Sequence, residues 1–257
     1  MKLSSPLIAL EFLTPLRLRT VRQWDDRTFA QAMAWYPAVG LLMGGLLLLV
    51  DRGLERLLPV GPTAAIEVAL LALISGGLHL DGVADTADGM AVQGDQARRL
   101  GVMSEGRTGP AGVMALVIVL LILWSALASL APPVRAAGLV LAPAIARWSV
   151  IPVVVLFAPA RPRGLGHALH EAAFPLAAPI STLIAAAAAF AFFGPPGLVL
   201  LAVALVVAVV IAGAASRLLY GVTGDTYGAV IEATQASVLL AVVAAGTRGW
   251  LDPTFLS

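Results

Sequence analysis

The sequence predicts an all-α, polytopic integral membrane protein: about seven transmembrane helices and a short N-terminal interfacial helix in one membrane-embedded domain, residues 1–257. Three observations predict this class. Of the 257 residues, 60% are hydrophobic and 12% are charged, whereas a soluble domain carries about 25% charged residues. The mean hydropathy is +0.94. Apolar runs of about 20 residues, the length that crosses a bilayer as a helix, recur along the chain.

The chain begins with a short apolar segment, residues 5–14, that we interpret as a helix at the membrane interface. It contains Glu11 and lacks the small-residue cleavage pattern of a signal peptide. Seven longer apolar runs follow as predicted spans: 31–50, 62–80, 108–130, 134–158, 176–193, 196–212 and 227–246. Proline and glycine separate several of them, and the turn at 194–197 predicts a tight hairpin.

The basic residues are distributed unequally between the two sides that seven spans define. Eleven fall on the N-terminal side, four on the far side, and Arg147 lies inside a span. The eleven are Lys2, Arg17, Arg19, Arg22, Arg27, Arg98, Arg99, Arg107, Arg161, Arg163 and Arg217; the four are Arg52, Arg56, Arg135 and Arg248. Because cytoplasmic loops are enriched in Lys and Arg, we predict that the N-terminus is cytoplasmic and that the C-terminus lies on the other side of the membrane.

The composition also excludes several classes of site. The chain has no cysteine and three histidines, which excludes disulfides and zinc–thiolate sites and argues against a multi-histidine metal centre. The lipid bilayer is the expected environment and no nucleic acid is expected as a partner; a homo-oligomer is compatible with the sequence. The absence of an internal repeat argues against a transporter built from inverted repeats.

Three aspartates stand at helical spacing after the second predicted span. Asp81, Asp85 and Asp88 are spaced i, i+4 and i+7, which places them on one face of a helix. Like charges in such a row repel one another, and carboxylate oxygens are the ligands that Mg²⁺ or Mn²⁺ prefers. The alternative is a solvated loop after the span. Nearby glycines, among them Gly82 and Gly89, are expected to let a bulky substrate approach the backbone.

A second acidic segment precedes the last span. Asp225 in the sequence TGDT, residues 223–226, is either a fourth metal ligand or the capping carboxylate of the next helix. Glu232 lies seven residues later, on the same helical face, and an intramembrane glutamate indicates a function. His79, two residues before the first aspartate, is the histidine whose position suggests catalysis.

A third segment, residues 104–112, contains Glu105 and Arg107 in a glycine-rich turn that opens a span. Free backbone N–H groups at a helix start bind anions, and an arginine adds a phosphate ligand; a basic residue there also serves membrane topology. Arg147 in mid-span requires a partner, for which Glu67, Glu232 or a substrate phosphate are the candidates.

Carboxylates that hold a divalent metal beside arginines are the residues that phosphoryl transfer requires. The metal neutralises a diphosphate, and a spare carboxylate deprotonates an attacking hydroxyl. The residues alone therefore indicate a membrane-embedded phosphotransferase with its active site on the cytoplasmic face, without naming the substrate.

The run HLDGVADTADG, residues 79–89, resembles the signature of the bacterial cobalamin synthase family, the adenosylcobinamide-GDP ribazoletransferases. The similarity extends to residues 12–16, 107–112 and 223–226 and to Glu232. It implies a Mg²⁺-dependent phosphotransferase that joins α-ribazole, or its 5′-phosphate, to the corrinoid nucleotide adenosylcobinamide-GDP and releases GMP. The alternatives are a lipid head-group phosphotransferase of the CDP-alcohol type and, less in keeping with the residues, a transporter.

The resemblance and the residues together give a predicted site, with Asp88 as the general base. His79 and Asp88 are the catalytic residues; Asp81, Asp85, Asp88 and Asp225 are the metal ligands; Glu105, Arg107, Arg147 and Glu232 bind substrate. The chain departs from the family pattern at Glu105, where an aspartate is usual, and at Gln235, where a second acidic residue often follows. Gln235 is therefore left out of the predicted site.

Overall fold

The computed structural model describes residues 5–18, 26–162 and 175–253. In these ranges the regular secondary structure is helical, and one isolated bridge pairs Pro159 with Val222. The helices are α1 Ser5–Leu13, α2 Asp26–Ala32, α3 Tyr36–Leu54, α4 Val60–Ile74, α5 Leu78–Ala91, α6 Gln96–Val102, α7 Pro110–Ser129, α8 Pro132–Trp148, α9 Val150–Leu156, α10 Ala177–Phe193, α11 Val199–Leu219 and α12 Gly224–Gly246. Short 3-10 turns, Met33–Trp35 and Pro195–Leu198, lead into α3 and α11.

The all-α membrane class is confirmed. In the described ranges, five helical stretches are long and apolar enough to cross a bilayer: Thr28–Leu54, Pro110–Ser129, Val134–Leu156, Pro195–Leu219 and Gly224–Gly246. They coincide with five of the seven predicted spans. The predicted span 176–193 is α10, a shorter apolar helix of 17 residues, and the predicted interfacial helix is α1.

The predicted span 62–80 is broken into two helices. The chain turns at Gly76 and Gly77, whose φ angles of +62° and +73° lie in the left-handed region that favours glycine. Beyond this turn α5 runs at 87° to α4. The predicted boundary is therefore wrong by several residues, since His79 and Leu80 belong to the helix that carries the aspartates and not to the span before it.

The interior of the bundle is formed by α8 and α12. A Cβ on Gly40 of α3 would lie 2.5 Å from the carbonyl oxygen of Pro143 in α8, so glycine lets α3 and α8 cross in backbone contact. Helix α12 packs against α5, α7, α8 and α11. The start of α12 is therefore surrounded by neighbouring helices, and α5 crosses it there.

The bundle has two ends that differ in chemistry. Tyr36, at the start of α3, lines the same cavity as Asp225, at the start of α12, and we call this the near end. Asp51 is 15 residues further along α3, about 22 Å away at 1.5 Å per residue. It contacts Arg135, at the start of α8, and we call this the far end.

Candidate active site

The crossing of α5 and α12 brings the two acidic segments together. A Cβ on Gly82 would lie 2.5 Å from the carbonyl oxygen of Asp225, and one on Gly228 would lie 3.2 Å from the Cα of His79. These glycines therefore permit direct contact between the helix backbones. Gly82, and likewise Gly89, is used for packing between parts of the chain, and not for the substrate approach that the sequence suggested.

Three carboxylates at the near end, Asp81, Asp85 and Asp225, lie within electrostatic range of one another, and we call them the carboxylate cluster. Asp81 is exposed, and the other two are half-buried. The charges of Asp81 and Asp225 both act on the Asp85 carboxyl, and Arg161 opposes them. The cluster thus carries more negative than positive charge at an accessible surface, as a cation-binding site requires.

Arg161 faces the cluster although the sequence assigned it to membrane topology alone. The N–H of Ala160 donates to the carbonyl oxygen of Val222 at 2.8 Å, so the segment before Arg161 lies alongside the segment that leads into α12. The guanidinium also donates to Ser104 Oγ at 2.9 Å. Each of these two contacts joins residues about 60 positions apart, and no local motif in the sequence predicts either of them.

The N-cap of α12 is Thr223, not Asp225. The Thr223 hydroxyl accepts from the N–H of Thr226, and the Thr226 hydroxyl accepts from the N–H of Thr223, which forms a capping box. The Thr223 hydroxyl also lies 3.3 Å from Asp225 Oδ2. Of the two alternatives left open by the sequence, the capping one is wrong, and the metal-ligand role of Asp225 stays a prediction.

Asp88 has a different position from the other aspartates of its helix. Its two carboxylate oxygens accept from the N–H groups of Gly109 and Gly112, at 2.6 Å and 2.8 Å. A Cβ on either glycine would clash with this carboxylate. Asp88 is buried and caps the start of α7, so we replace its predicted general-base role by one of positioning the 103–109 loop.

The predicted four-carboxylate metal site is not assembled in this geometry. Among the described residues, no three His, Asp or Glu side chains converge as a metal-binding group. Asp88 faces α7, and the remaining carboxylates are spread around an open surface. The carboxylate cluster nevertheless fits Mg²⁺ or Mn²⁺ in donor chemistry, because it consists of oxygen ligands with uncompensated charge.

Behind the cluster, a row of buried polar groups runs into the bundle. His79 Nδ1 lies 3.6 Å from Glu232 Oε1. Arg147 is completely buried and donates to Gln235 Oε1 at 2.6 Å. The predicted contact of Arg147 with substrate is corrected, since the interior of the bundle encloses the guanidinium. Its hydrogen-bond partner is Gln235, the residue that the sequence analysis left out of the site.

Glu105 and Arg107 lie in the exposed loop between α6 and α7. The end of this loop is fixed by the hydrogen bonds from Gly109 and Gly112 to Asp88. The role of Glu105 and Arg107 in substrate binding stays a prediction. The loop holds both residues at the near end, where Arg161 also bonds to Ser104.

A cavity of about 190 Å³ opens beside Asp225. We call it the aromatic cavity, and its walls come from α1, α3, α5, α9 and α12. It is lined by Phe12, Leu13, Tyr36, Leu78, His79, Val150, Gly224, Asp225, Tyr227, Gly228 and Ile231. The near end therefore combines an open carboxylate surface with an adjoining, partly enclosed and mainly apolar cavity.

Comparison with known proteins gives a consistent result. Residues 5–243 match the family described as cobalamin-5-phosphate synthase. The adenosylcobinamide-GDP ribazoletransferase of Pseudomonas paraeruginosa is 40% identical over 93% of this chain and 98% of its own length. The protein of the same name from Geotalea daltonii is 32% identical over 94% and 97%. No solved structure matches the chain.

Proposed function

The chain belongs to the cobalamin-5-phosphate synthase family, and on this premise we propose that it is a membrane-bound adenosylcobinamide-GDP ribazoletransferase. The structural observation that supports this function is the carboxylate cluster. Asp81 and Asp85 of the signature helix lie within electrostatic range of Asp225, and Gly82 of the same helix contacts the Asp225 backbone, at the near end of an apolar bundle. That arrangement suits the transfer of a phosphoryl group between two polar substrates at a membrane surface.

In the proposed reaction, a ribose hydroxyl of α-ribazole, or of its 5′-phosphate, attacks the phosphorus on the cobinamide side of the diphosphate. A new P–O bond forms, the bond to the GMP phosphate oxygen breaks, and GMP leaves with the electron pair. One carboxylate of the carboxylate cluster takes the proton of the attacking hydroxyl. Arg161 and Arg107 offset the charge of the phosphates.

Two of the three carboxylates Asp81, Asp85 and Asp225 would hold a divalent cation, for which Mg²⁺ is our proposal and Mn²⁺ a substitute, and the third would be the proton acceptor. A bound cation supplies charge neutralisation for the diphosphate and for the departing GMP. Other residues of the chain position the groups that take part in the reaction. Asp88 fixes the loop of Glu105 and Arg107, and the capping box of Thr223 and Thr226 presents Asp225.

We place the near end on the cytoplasmic side of a bacterial inner membrane. Arg107 and Arg161 lie at this end, together with the basic α6, whereas Arg52 and Arg135 lie at the far end. The excess of basic residues at the near end supports a cytoplasmic active site.

One assay tests the proposed activity. Purified protein in detergent or liposomes is given adenosylcobinamide-GDP, α-ribazole and Mg²⁺, and the products are identified by mass. We expect cobalamin and GMP in equal amounts, and α-ribazole 5′-phosphate in place of α-ribazole should give the phosphorylated product. A protein that forms no corrinoid product, but forms phospholipid from CDP-diacylglycerol and an alcohol, would establish the head-group alternative instead.

A further inference from the structure

A large apolar groove lies on the side of the bundle, between α7 and α11. Its volume is about 700 Å³, and α12 lines it with the small side chains of Ala229, Ala233 and Ala236. Ala229 and Ala236 are buried, whereas Met114 of α7 and Val210 of α11, which also line the groove, are 60% and 63% exposed. The groove is therefore open sideways to the surroundings of the bundle, and we call it the lateral groove.

The signature helix α5 separates the lateral groove from the carboxylate cluster. Val83, Ala87 and Met90 line the groove. Helical geometry places them on the face of α5 opposite to the one that carries Asp81 and Asp85. A molecule in the groove therefore lies behind the signature helix, and the substrates that react at the carboxylates do not account for it.

The lateral groove has the length of one bilayer leaflet. Along α12 it extends from Ala229 to Leu240, and along α7 from Ala111 to Ile122, which is about 16 Å in each helix at 1.5 Å per residue. The hydrocarbon core of a bilayer is about 30 Å thick, so one leaflet takes up about 15 Å. Both helices begin at the near end. The groove therefore covers the depth of the near-end leaflet and ends near the middle of the bilayer.

This length favours a lipid acyl chain over a helix as the occupant. Small residues also suit contact between membrane helices, but a helix of a second copy crosses the whole core and needs a groove of about 30 Å. An acyl chain extends from the surface to the middle of one leaflet. The three helices around the groove are apolar enough to cross a bilayer, so acyl chains surround them.

An arginine lies at the near-end mouth of the lateral groove. Arg217 follows Val210 by seven residues and Ala214 by three, and because both of these line the groove, Arg217 shares their helical face. It is exposed, and the salt bridges among the described residues involve other basic residues. Such a cation attracts anionic lipid at the membrane surface. We therefore propose that the lateral groove binds one anionic phospholipid, with an acyl chain along α12 and the phosphate on Arg217.

Native mass spectrometry of the full-length protein in detergent tests this site. Phosphatidylglycerol is titrated, and each bound molecule adds its mass to the protein. We expect one phosphatidylglycerol to stay bound at detergent concentrations that remove the others, and to raise the thermal midpoint. Ala115→Phe places a ring in the groove and should weaken this binding tenfold or more. The matched control is Val117→Phe, on the same helix but 51% exposed outside the groove, which should bind as the wild type does.

A second variant tests the contact with the phosphate and does not alter the packing of the bundle. Arg217→Gln should weaken the binding of phosphatidylglycerol about fivefold, the effect of one arginine near an anionic lipid. Arg56→Gln removes an exposed arginine just after α3, at the far end, and should have no effect. Equal binding by Arg217→Gln and the wild type would overturn the placement of the phosphate, and with it the proposal.

The same spectra distinguish a lipid from a second copy of the chain. A lipid-free dimer that Ala115→Phe dissociates would overturn the lipid assignment, and so would a wild type that retains no phosphatidylglycerol. Binding is measured without turnover. The lipid site can therefore fail while the proposed transferase activity stands, and the activity can fail while the lipid site stands.

Discussion

The carboxylate cluster at the near end contrasts with a second group of charges at the far end. There Arg135 bonds to Asp51 at 2.7 Å and to Glu67 at 2.5 Å, and it also donates to the carbonyl oxygen of Leu127. All three charged side chains are buried. They tie α3, α4 and α8 to the end of α7, and we call them the far-end ion group.

Both regions contain aspartates in an apolar protein, yet their surroundings assign them different tasks. In the far-end ion group, one guanidinium pairs with two buried carboxylates, and these contacts join three helices. In the carboxylate cluster, Asp81 is exposed and the negative charges exceed the positive charge of Arg161. Charge that is paired and enclosed holds helices together at the far end, whereas charge that is accessible at the near end can meet a cation and substrate.

Metal removal is expected to have the largest effect and to act on the carboxylate cluster alone. Chelation by EDTA should reduce turnover to background, and added Mg²⁺ should restore it. Mg²⁺ should also raise the thermal midpoint of the wild type, because a ligand that binds the folded state stabilises it. Undiminished turnover in EDTA would refute the metal proposal.

Asp85→Asn should reduce turnover by about 10³-fold with the yield of folded protein unchanged. The substitution removes a charge that its neighbours repel, so thermal stability should stay the same or rise slightly, and the stabilisation by Mg²⁺ should disappear. GMP release and thermal unfolding in detergent measure these effects. Normal turnover in Asp85→Asn would mean that this carboxylate takes no part in the reaction.

Arg135→Met should produce the reverse pattern in the far-end ion group. It leaves two buried carboxylates without a cation, and breaking a buried pair in this way costs about 3–5 kcal/mol. We expect a loss of folded protein by size-exclusion chromatography, with turnover per folded molecule unchanged. The control is Arg52→Met, which breaks the exposed pair with Glu55 and should have little effect.

The far-end interpretation has a second test in a combined variant. Adding Asp51→Asn and Glu67→Gln to Arg135→Met removes the stranded charges and should recover much of the folded yield. Equal yields for the single and the combined variant would show that charge balance is not what Arg135 contributes.

Asp88→Asn should have the smallest effect on turnover. It tests whether Asp88 has a structural role, in contrast to the catalytic role of Asp85 on the same helix. Asparagine keeps one acceptor for the start of α7, so we expect a loss of about 1 kcal/mol of stability and turnover within tenfold of wild type. Thermal unfolding measures the loss of stability, and GMP release measures turnover. A loss of turnover as large as that of Asp85→Asn would restore Asp88 as the general base.

Much of the fold could be predicted because the bilayer imposes simple rules. Long apolar runs must form helices, since no water is present to satisfy the backbone, and five of the predicted spans have the length and composition to cross. The predicted extent of the 62–80 span was wrong because hydropathy carries no information about the direction of the backbone. Gly76 and Gly77 turn the chain within an apolar stretch, and composition registers such a turn only weakly.

By itself, the sequence determined the membrane class, the family resemblance and the helical face that carries Asp81 and Asp85, because each follows from local composition or spacing. The tertiary structure decided which carboxylates are free. Asp88 shares their face, yet the N-terminus of α7 binds it. The contact of Gly82 with α12 brings in Asp225, which is 143 positions later in the sequence. Arg161, Gln235 and the aromatic cavity likewise depend on helix crossings, which spacing along one chain cannot specify.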